Sequence, residues 1–501
     1  MKTIIKGFNL FGYSGHVQFI IGLIFILTLS YFTIFFHLDR LTLRVWDEST
    51  YLYNAENMVK HPDLFMVYDF KGNPECFSPK PPFYTWVAAI SLLIIPHNPE
   101  LAIRMPAALF TLFTVLLLYG FCYYYLKNYA AGILSATVLL SSVGFFQWHI
   151  VRTGDTDSTY VFWCLLCLLS FFVYTVEEGK KRTIALVLAG LGMLFAALTK
   201  GPGILILFPP FFIWLFVSKN FMNTVKSFSF WVVLGLVIVF IFGWYYCRES
   251  LNPGFLQAVW KQEIMGRIQL VEPQTHQENH ALFFLYRLFD KQFFMPWILF
   301  LISAFFMSFG KEKTAGHEFL KFVFLVWICC ILSIARTVSV KDWYDAIWYP
   351  LMSLLTGVGI SLLIKNWEIT ASRSVFFGLL LLSSWPLSII IKKNIFEAET
   401  QHLKPFLNLL RQGEYKFRKI FIYEREFNPA VFYYIKQDQQ NGFDSELWKY
   451  EVNNLPEGTD VLTMNQNQEE ELARNFKIRK LEELNECKLF YLELKKKPSI
   501  P

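Results

Sequence analysis

From Val17 to Phe36 the chain is largely apolar for about 20 residues, enough at 1.5 Å per residue to carry a helix across a hydrocarbon core of roughly 30 Å. Runs of this kind recur as far as about residue 391, and they leave few folds open. A water-soluble domain could not hide them, because 54% of the 501 residues are hydrophobic, 53 of them Phe and 15 Trp, and the mean hydropathy is +0.37. A transmembrane barrel would need short alternating segments, whereas long uninterrupted runs satisfy their backbone hydrogen bonds inside helices. The expected fold is therefore mostly α: a polytopic transmembrane helical bundle. The net charge of +6 is modest, and no nucleic-acid partner is expected.

The runs divide into about eleven expected crossings, at 17–37, 101–126, 130–148, 158–176, 184–199, 202–217, 228–247, 293–310, 319–336, 345–364 and 374–391. Charge sorting tests the count. With Lys2 and Lys6 in the cytoplasm, Lys127, Lys180, Lys181, Arg182, Lys219, Lys226, Lys311, Lys313, Lys321, Lys365 and Arg373 fall on that same face, as the positive-inside rule requires. Phe83 to Ile95 is apolar but too short to span and ends at Pro96, so it reads as an interfacial or re-entrant helix. If it spanned, the parity downstream would flip and the sorting would fail. The opposite face then collects the first external loop, 38–100, the loops near 149–157 and 248–292, the turns at 200–202 and 337–344, and everything after about 392. The first run has no small-residue cleavage site behind it and reads as a retained helix.

After about residue 395 the pattern changes. Lys419 to Tyr423, Asp460 to Met464, Phe476 to Arg479 and Lys488 to Leu494 read as strands, and 402–411 and 467–475 as helices. The expected division is a transmembrane domain over 1–394 and a small extracytoplasmic α/β domain over 395–501. Six of the eight cysteines lie in or beside spans, where a thiol packs as a small apolar group, and Cys164-x-x-Cys167 inside an apolar helix reads the same way. Cys76 and Cys487 both fall on the outer side, which leaves their pairing open.

The most chemically loaded stretch is Trp46 to Pro82, directly after the first run. It opens on Asp47 and Glu48 and closes on Lys80-Pro81-Pro82, where a bilayer meets water, a location suited to chemistry on a lipid-borne substrate. Trp46-Asp47-Glu48 with Tyr51, Ala55 and Met58, then Pro79-Lys80-Pro81-Pro82-Phe83-Tyr84-Thr85-Trp86, then Ala102-Ile103-Arg104-Met105-Pro106 resembles the first external loop of the bacterial lipid A aminoarabinose transferases. These belong with the protein O-mannosyltransferases to the GT-C class of polyprenyl-phosphate-dependent glycosyltransferases. Further matches follow in order: Arg152-Thr153 with Asp157 before Phe162-Trp163, Leu198-Thr199-Lys200-Gly201-Pro202, Trp244-Tyr245, Glu263 to Arg267, His280 with Tyr286, Pro296-Trp297, and Ser339-Val340-Lys341 with Tyr349-Pro350. Each motif is short; the ordered set, over roughly residues 20 to 365, carries the resemblance.

The resemblance implies a GT-C bundle with interfacial helices and an inverting transfer of a pentosyl or hexosyl group. The donor would be a sugar on polyprenyl (undecaprenyl) phosphate. The acceptor would be lipid A-like, or another envelope lipid or protein, on the outer face of a bacterial inner membrane. Asp47 becomes the general base or acceptor-orienting group, Glu48 able to serve beside it, and Asp157 the second acid, with Asp155 the weaker candidate. The plainer reading makes both acidic clusters helix caps. Lys80, Arg104, Arg152, Lys200, Arg267 and Lys341 become cations for the departing phosphate, with Tyr84 in the binding set, against a plainer reading of lysines and arginines reaching up to lipid head groups. One departure stands out: the relatives carry Glu before Lys-Pro-Pro, and here that residue is Pro79. No cofactor is required by this reading; a divalent metal stays open through His276 and His280, whose spacing is not diagnostic.

Within the enzyme class the alternative is a protein O-mannosyltransferase-like activity. From another class, a polytopic lipid or sugar transporter would call for internal repeats and ionisable residues near mid-membrane, whereas the charges here sit at loop ends. A non-catalytic membrane scaffold gives no reason to gather acids and bases on one face. The topology is directly testable. With single cysteines in a background lacking the native ones, a membrane-impermeant thiol reagent should label Tyr450→Cys in intact cells and spare Lys313→Cys; labelling of position 313 would reject the arrangement.

Overall fold

A computed structural model of the chain describes residues 15–43, 46–61, 63–68, 74, 80–266, 293, 295–308, 314–335, 341–365, 367–399, 403–413, 415–425 and 428–495. Residues group into two units, one of Met1–Phe36 with Asn54–Lys392 and the other of His37–Tyr53 with Lys393–Pro501.

The first unit is helical. In chain order it holds α1 (Gly15–Ser30), the second half of α2 (Trp46–Lys60), α3 (Phe83–Ile94), α4 (Pro99–Gly120), α5 (Tyr129–Leu140), α6 (Asp157–Val176), α7 (Gly179–Lys200), α8 (Phe208–Val217), α9 (Phe221–Val225), α10 (Phe228–Leu251) and α11 (Phe255–Val259). It continues with α12 (Met295–Ser308), α13 (Ala315–Ala335), α14 (Trp348–Ile364) and α15 (Ile369–Glu399), which extends into the second unit. Among the described residues eight helical stretches are long and apolar enough to cross a membrane, fewer than the eleven expected. The protein is thus a multi-pass membrane protein.

The difference in count has local causes. The run expected over 130–148 stops as a helix at Leu140, where Ser142 turns its hydroxyl onto Val138 O (2.7 Å) and Ser141 accepts a hydrogen bond from Trp297 Nε1 (3.1 Å). The expected crossings 184–199 and 202–217 form one apolar stretch, Gly179–Val217, interrupted at Gly201, where a 3-10 segment runs to Leu207 before the ten-residue α8. The run 293–310 appears as α12, 14 residues long. Phe83 to Ile95, expected as a short interfacial or re-entrant helix, is the 12-residue α3, about 18 Å at 1.5 Å per residue and too short to span.

Burial separates inner from outer helices. Nearly all of the apolar window within Asp342–Ile364, which contains α14, is buried in protein, whereas little of α10 is, and it turns Trp231, Val239, Phe240 and Phe242 outward. A helix apolar on every side and bare of protein has hydrocarbon as its other neighbour. Inside the bundle small residues let backbones touch. A Cβ on Gly192 of α7 would lie 2.7 Å from Cys167 N of α6, and one on Gly357 of α14 would lie 2.5 Å from Ser135 N of α5.

The second unit is α/β. Five strands, β1 (Ile420–Tyr423), β2 (Ser445–Trp448), β3 (Asp460–Thr463), β4 (Phe476–Leu484) and β5 (Cys487–Lys495), form one sheet in the order β2-β1-β3-β5-β4. β1 pairs in parallel with β2 and β3, and β5 pairs antiparallel with β3 and β4. Helices α16 (Leu403–Gln412), α17 (Pro429–Gln440) and α18 (Gln466–Asn475) accompany it. Four of the strands and two of the helices match the expected segments; β2 and α17 were not among them. Arg411 staples the unit, reaching Asp438 Oδ2 (3.1 Å) and Ser445 Oγ (2.5 Å) in a buried site. Residues 37–53 join this unit, with Leu43 N donating to Tyr434 Oη (2.7 Å) and Tyr53 set edge-on to Tyr433. Cys487 is a buried free thiol, and Cys76 lies outside the described residues.

Candidate functional site

α6 and α7 are consecutive antiparallel helices of 20 and 22 residues joined at Glu177 and Glu178, so the first residue of one and the last of the other return to the same level. Those residues are Asp157 and Lys200, and they form a buried ion pair with 4% and 11% of their side chains exposed. Each sits at the helix end whose dipole favours its charge, an anion at the N-terminus and a cation at the C-terminus. The Lys200 ammonium also lies over the rings of Tyr160 (5.6 Å) and Tyr344 (5.5 Å), and Tyr160 donates its hydroxyl to Gly203 O (2.7 Å).

Lys80 arrives beside Lys200 through a second turn. Gly201 has φ +56° and ψ −126°, a conformation glycine adopts without strain. A side chain there would stand 2.8 Å from Tyr245 Oη and 3.5 Å from Pro81 Cδ, so the Lys80-Pro81-Pro82 and Lys200-Gly201-Pro202 turns are packed on each other. Phe83, Leu198, Trp244, Phe255 and Val259 close an apolar cluster behind them, with Trp86, Trp163, Phe195 and Tyr245 against it.

Asp155 completes the charge cluster. Its Oδ2 lies 2.6 Å from His149 Nδ1, while Oδ1 accepts the Thr156 N–H (2.6 Å). Burial pushes this carboxyl upward, but the His149 hydrogen bond, aided by the positive charges of Lys80, His149 and Lys200, outweighs it and holds the group at about 2. Asp155 is therefore ionised at neutral pH. Beside the pair opens a cavity of about 420 Å³, lined by Asp157, Tyr160, Lys200, Glu263, Tyr344 and apolar side chains, large enough for a small organic group.

The other expected residues stand as follows. Asp47 is half-buried and Glu48 buried in the first turn of α2, within the second unit. Arg152 is buried and donates to Ile34 O (2.8 Å) at the end of the first apolar run. Arg104 is fully buried in α4. Tyr84 is also fully buried and gives its hydroxyl to Ile103 O (2.7 Å), bracing α3 on α4. Lys341 precedes the 3-10 segment Asp342–Ile347 and is half-exposed. Arg267, His276 and His280 lie outside the described residues, and Pro79, which also does, has no side-chain ligand atom to offer a metal.

The sequence pattern of the dolichyl-phosphate-mannose-protein mannosyltransferase family matches residues 79–246, the stretch that carries Lys80, Asp157 and Lys200. Among solved structures the chain is similar to ArnT from Cupriavidus metallidurans bound to undecaprenyl phosphate, with a TM-score of 0.67 at 12% identity over 95% of this chain and 98% of that one. The apo form of the same protein gives 0.63 at 14% identity over the same shares. The chain shares the fold of these structures. The undecaprenyl phosphate-alpha-4-amino-4-deoxy-L-arabinose arabinosyl transferase of Wigglesworthia glossinidia brevipalpis is 27% identical over 323 residues, 62% of this chain. The alignment spans 54% of that relative, little more than half its length.

Within this fold the residues that sequence reading passed over are His149, Trp343, Tyr160 and Tyr344, whereas Asp155 was the weaker of two acidic candidates. Their signal was faint: one histidine in a short loop between apolar helices, and aromatic residues in a chain full of them. The pairing of Asp157 with Lys200 makes a testable demand. A buried charge stripped of its partner costs about 3–5 kcal/mol, whereas removing both charges together costs far less. Asp157→Asn and Lys200→Met should each lower the melting temperature in detergent more than the double variant does.

Proposed function

We propose that the protein is an inverting glycosyltransferase that moves a sugar from polyprenyl phosphate to an envelope acceptor. It would work in a bacterial inner membrane with the N-terminus cytoplasmic and the α/β domain outside. The observation that carries the reading is the packing of the Lys80 and Lys200 turns through Pro81 and Gly201, beside the Asp157-lined cavity. Two cations on packed turns beside this cavity suit a phosphate anchored in lipid, because a phosphate monoester accepts several charge-assisted hydrogen bonds at once. The undecaprenyl phosphate named with the ArnT structure and with the arabinosyl transferase supports the choice of carrier.

In the proposed reaction the acceptor hydroxyl attacks the anomeric carbon from the side opposite the phosphate. The bond from that carbon to the phosphate oxygen breaks, and the oxygen leaves with both electrons as polyprenyl phosphate, its charge met by Lys80 and Lys200. The hydroxyl proton passes to a carboxylate, a role that the family resemblance gives to Asp47. Glu48 stands next to it in sequence, and Arg104, Arg152, Arg267, Lys341 and Tyr84 remain candidates for the donor or acceptor. A lipid A-like acceptor is what the resemblance of the first external loop to the aminoarabinose transferases implies. A protein acceptor is the second reading, favoured by the mannosyltransferase pattern over residues 79–246. Mass spectrometry of envelope lipids and glycoproteins from cells with and without the gene separates the two.

Two substitutions test the machinery. Lys80→Met and Lys200→Met should each raise the dissociation constant for undecaprenyl phosphate by about one to two orders of magnitude, the value of a charged hydrogen bond of roughly 1.5–3 kcal/mol. Parent-like titrations would return both lysines to the lipid head groups. Asp47→Asn should lower turnover by about 10²- to 10⁴-fold while leaving undecaprenyl phosphate binding intact, as loss of a general base requires. Near-normal transfer would make Asp47 a helix cap.

A further inference from the structure

His149 lies in the loop between α5 and α6 with φ +72°, in the left-handed region that a side chain makes unfavourable. Such a conformation persists where the surroundings over-determine it, often beside a working site. Here three contacts over-determine it. Nδ1 meets Asp155 Oδ2 at 2.6 Å, the backbone N–H donates to Thr153 Oγ1 (3.3 Å), and the ring stacks on Trp343 with centroids 3.7 Å apart and planes 21° off parallel. Because Asp155 is ionised, the shared proton resides on Nδ1 and the imidazole acts as donor.

The stack joins the loop before α6 to the segment Asp342–Ile347, whose Tyr344 reaches the Lys200 ammonium and lines the cavity. Asp155 is thus held at both oxygens within its own loop, which the stack ties to the segment carrying Tyr344, and the Lys80 and Lys200 charges favour its ionised form. A carboxylate free to rotate would let each ammonium adopt several directions. One pinned in place sets a fixed field.

We propose that His149 is a positioning residue of the donor-phosphate site: clamped on Trp343, it holds the Asp155 carboxylate in one orientation as the fixed counter-charge that aims the Lys80 ammonium at the phosphate. The proposal rests on the reading of Lys80 and Lys200 as phosphate ligands.

Undecaprenyl phosphate titration of the full chain in detergent tests it, with melting temperatures measured alongside. His149→Leu should weaken binding about tenfold, as loss of one hydrogen bond to a charged group requires. His149→Asn keeps an N–H near the Nδ1 position and should recover most of that affinity. If His149→Leu titrates like the parent while Lys80→Met is weakened, the positioning role is overturned and the phosphate reading stands. If Lys80→Met and Lys200→Met also titrate like the parent, the phosphate reading itself falls. Equal losses of affinity and melting temperature in the Leu and Asn variants would reduce His149 to a structural staple and overturn the proposal. Should His149→Leu not fold, Trp343→Leu decides, since it removes the stacking plate and leaves the hydrogen bond: a loss of about threefold supports the role, and a parent-like titration overturns it.

Discussion

An ammonium at the end of an apolar helix needs an anion, and much of the first unit is arranged around giving Lys200 one. The antiparallel hairpin of α6 and α7 brings Asp157 to it, and both helix dipoles favour the charges where they stand. Close packing of the hairpin is what makes the meeting reproducible: Gly192 lets the α7 backbone lie directly on Cys167 and Trp163 of α6. A helix pair held apart by a larger side chain would move the two charges relative to each other at the far end. The ion pair and the packing therefore depend on one geometry.

The second lysine comes from a distant part of the sequence and needs a different device. Pro81 and Pro82 restrict the approach to α3, Gly201 supplies the turn that a side chain would block, and Tyr245 covers it. Rigid turns matter for charge because a flexible lysine loses rotamer freedom whenever it binds an anion, and restraining its base lowers that cost. The chain places its restraint in the backbone, and leaves the ammonium groups to the field of Asp155 and Asp157.

Legibility in the sequence followed the range of the interactions involved. Apolar runs announce helices because hydrocarbon solvation acts residue by residue, and Lys80 and Lys200 stood out because proline and glycine beside them mark turns. The α/β unit was readable where strands alternate clearly, but β2, Ser445–Trp448, has only Ser445 fully buried and lies at the sheet edge, so its pattern is weak. The break at Gly201 was legible, since the expected crossings already parted there, whereas the end of α5 at Leu140 was not, because the residues after it remain largely apolar. The bond from Tyr84 to Ile103 O was not legible either, since it joins α3 to α4 across 19 residues. His149 was invisible because its meaning comes from Trp343, a partner that no local pattern announces.

The bare flank of α10 carries a consequence for where control over this site resides. The helix is wrapped mostly by hydrocarbon along its length, yet its far end delivers Trp244 into the apolar cluster and Tyr245 against Gly201. The lipid around it is in effect a wall of the site. Bilayer thickness shifts such helices along the membrane normal or tilts them at a cost of fractions of a kcal/mol per Å. A membrane that thickens or thins would thereby press or slacken the turn that holds Lys200, making the surrounding lipid a modulator that touches no reacting group.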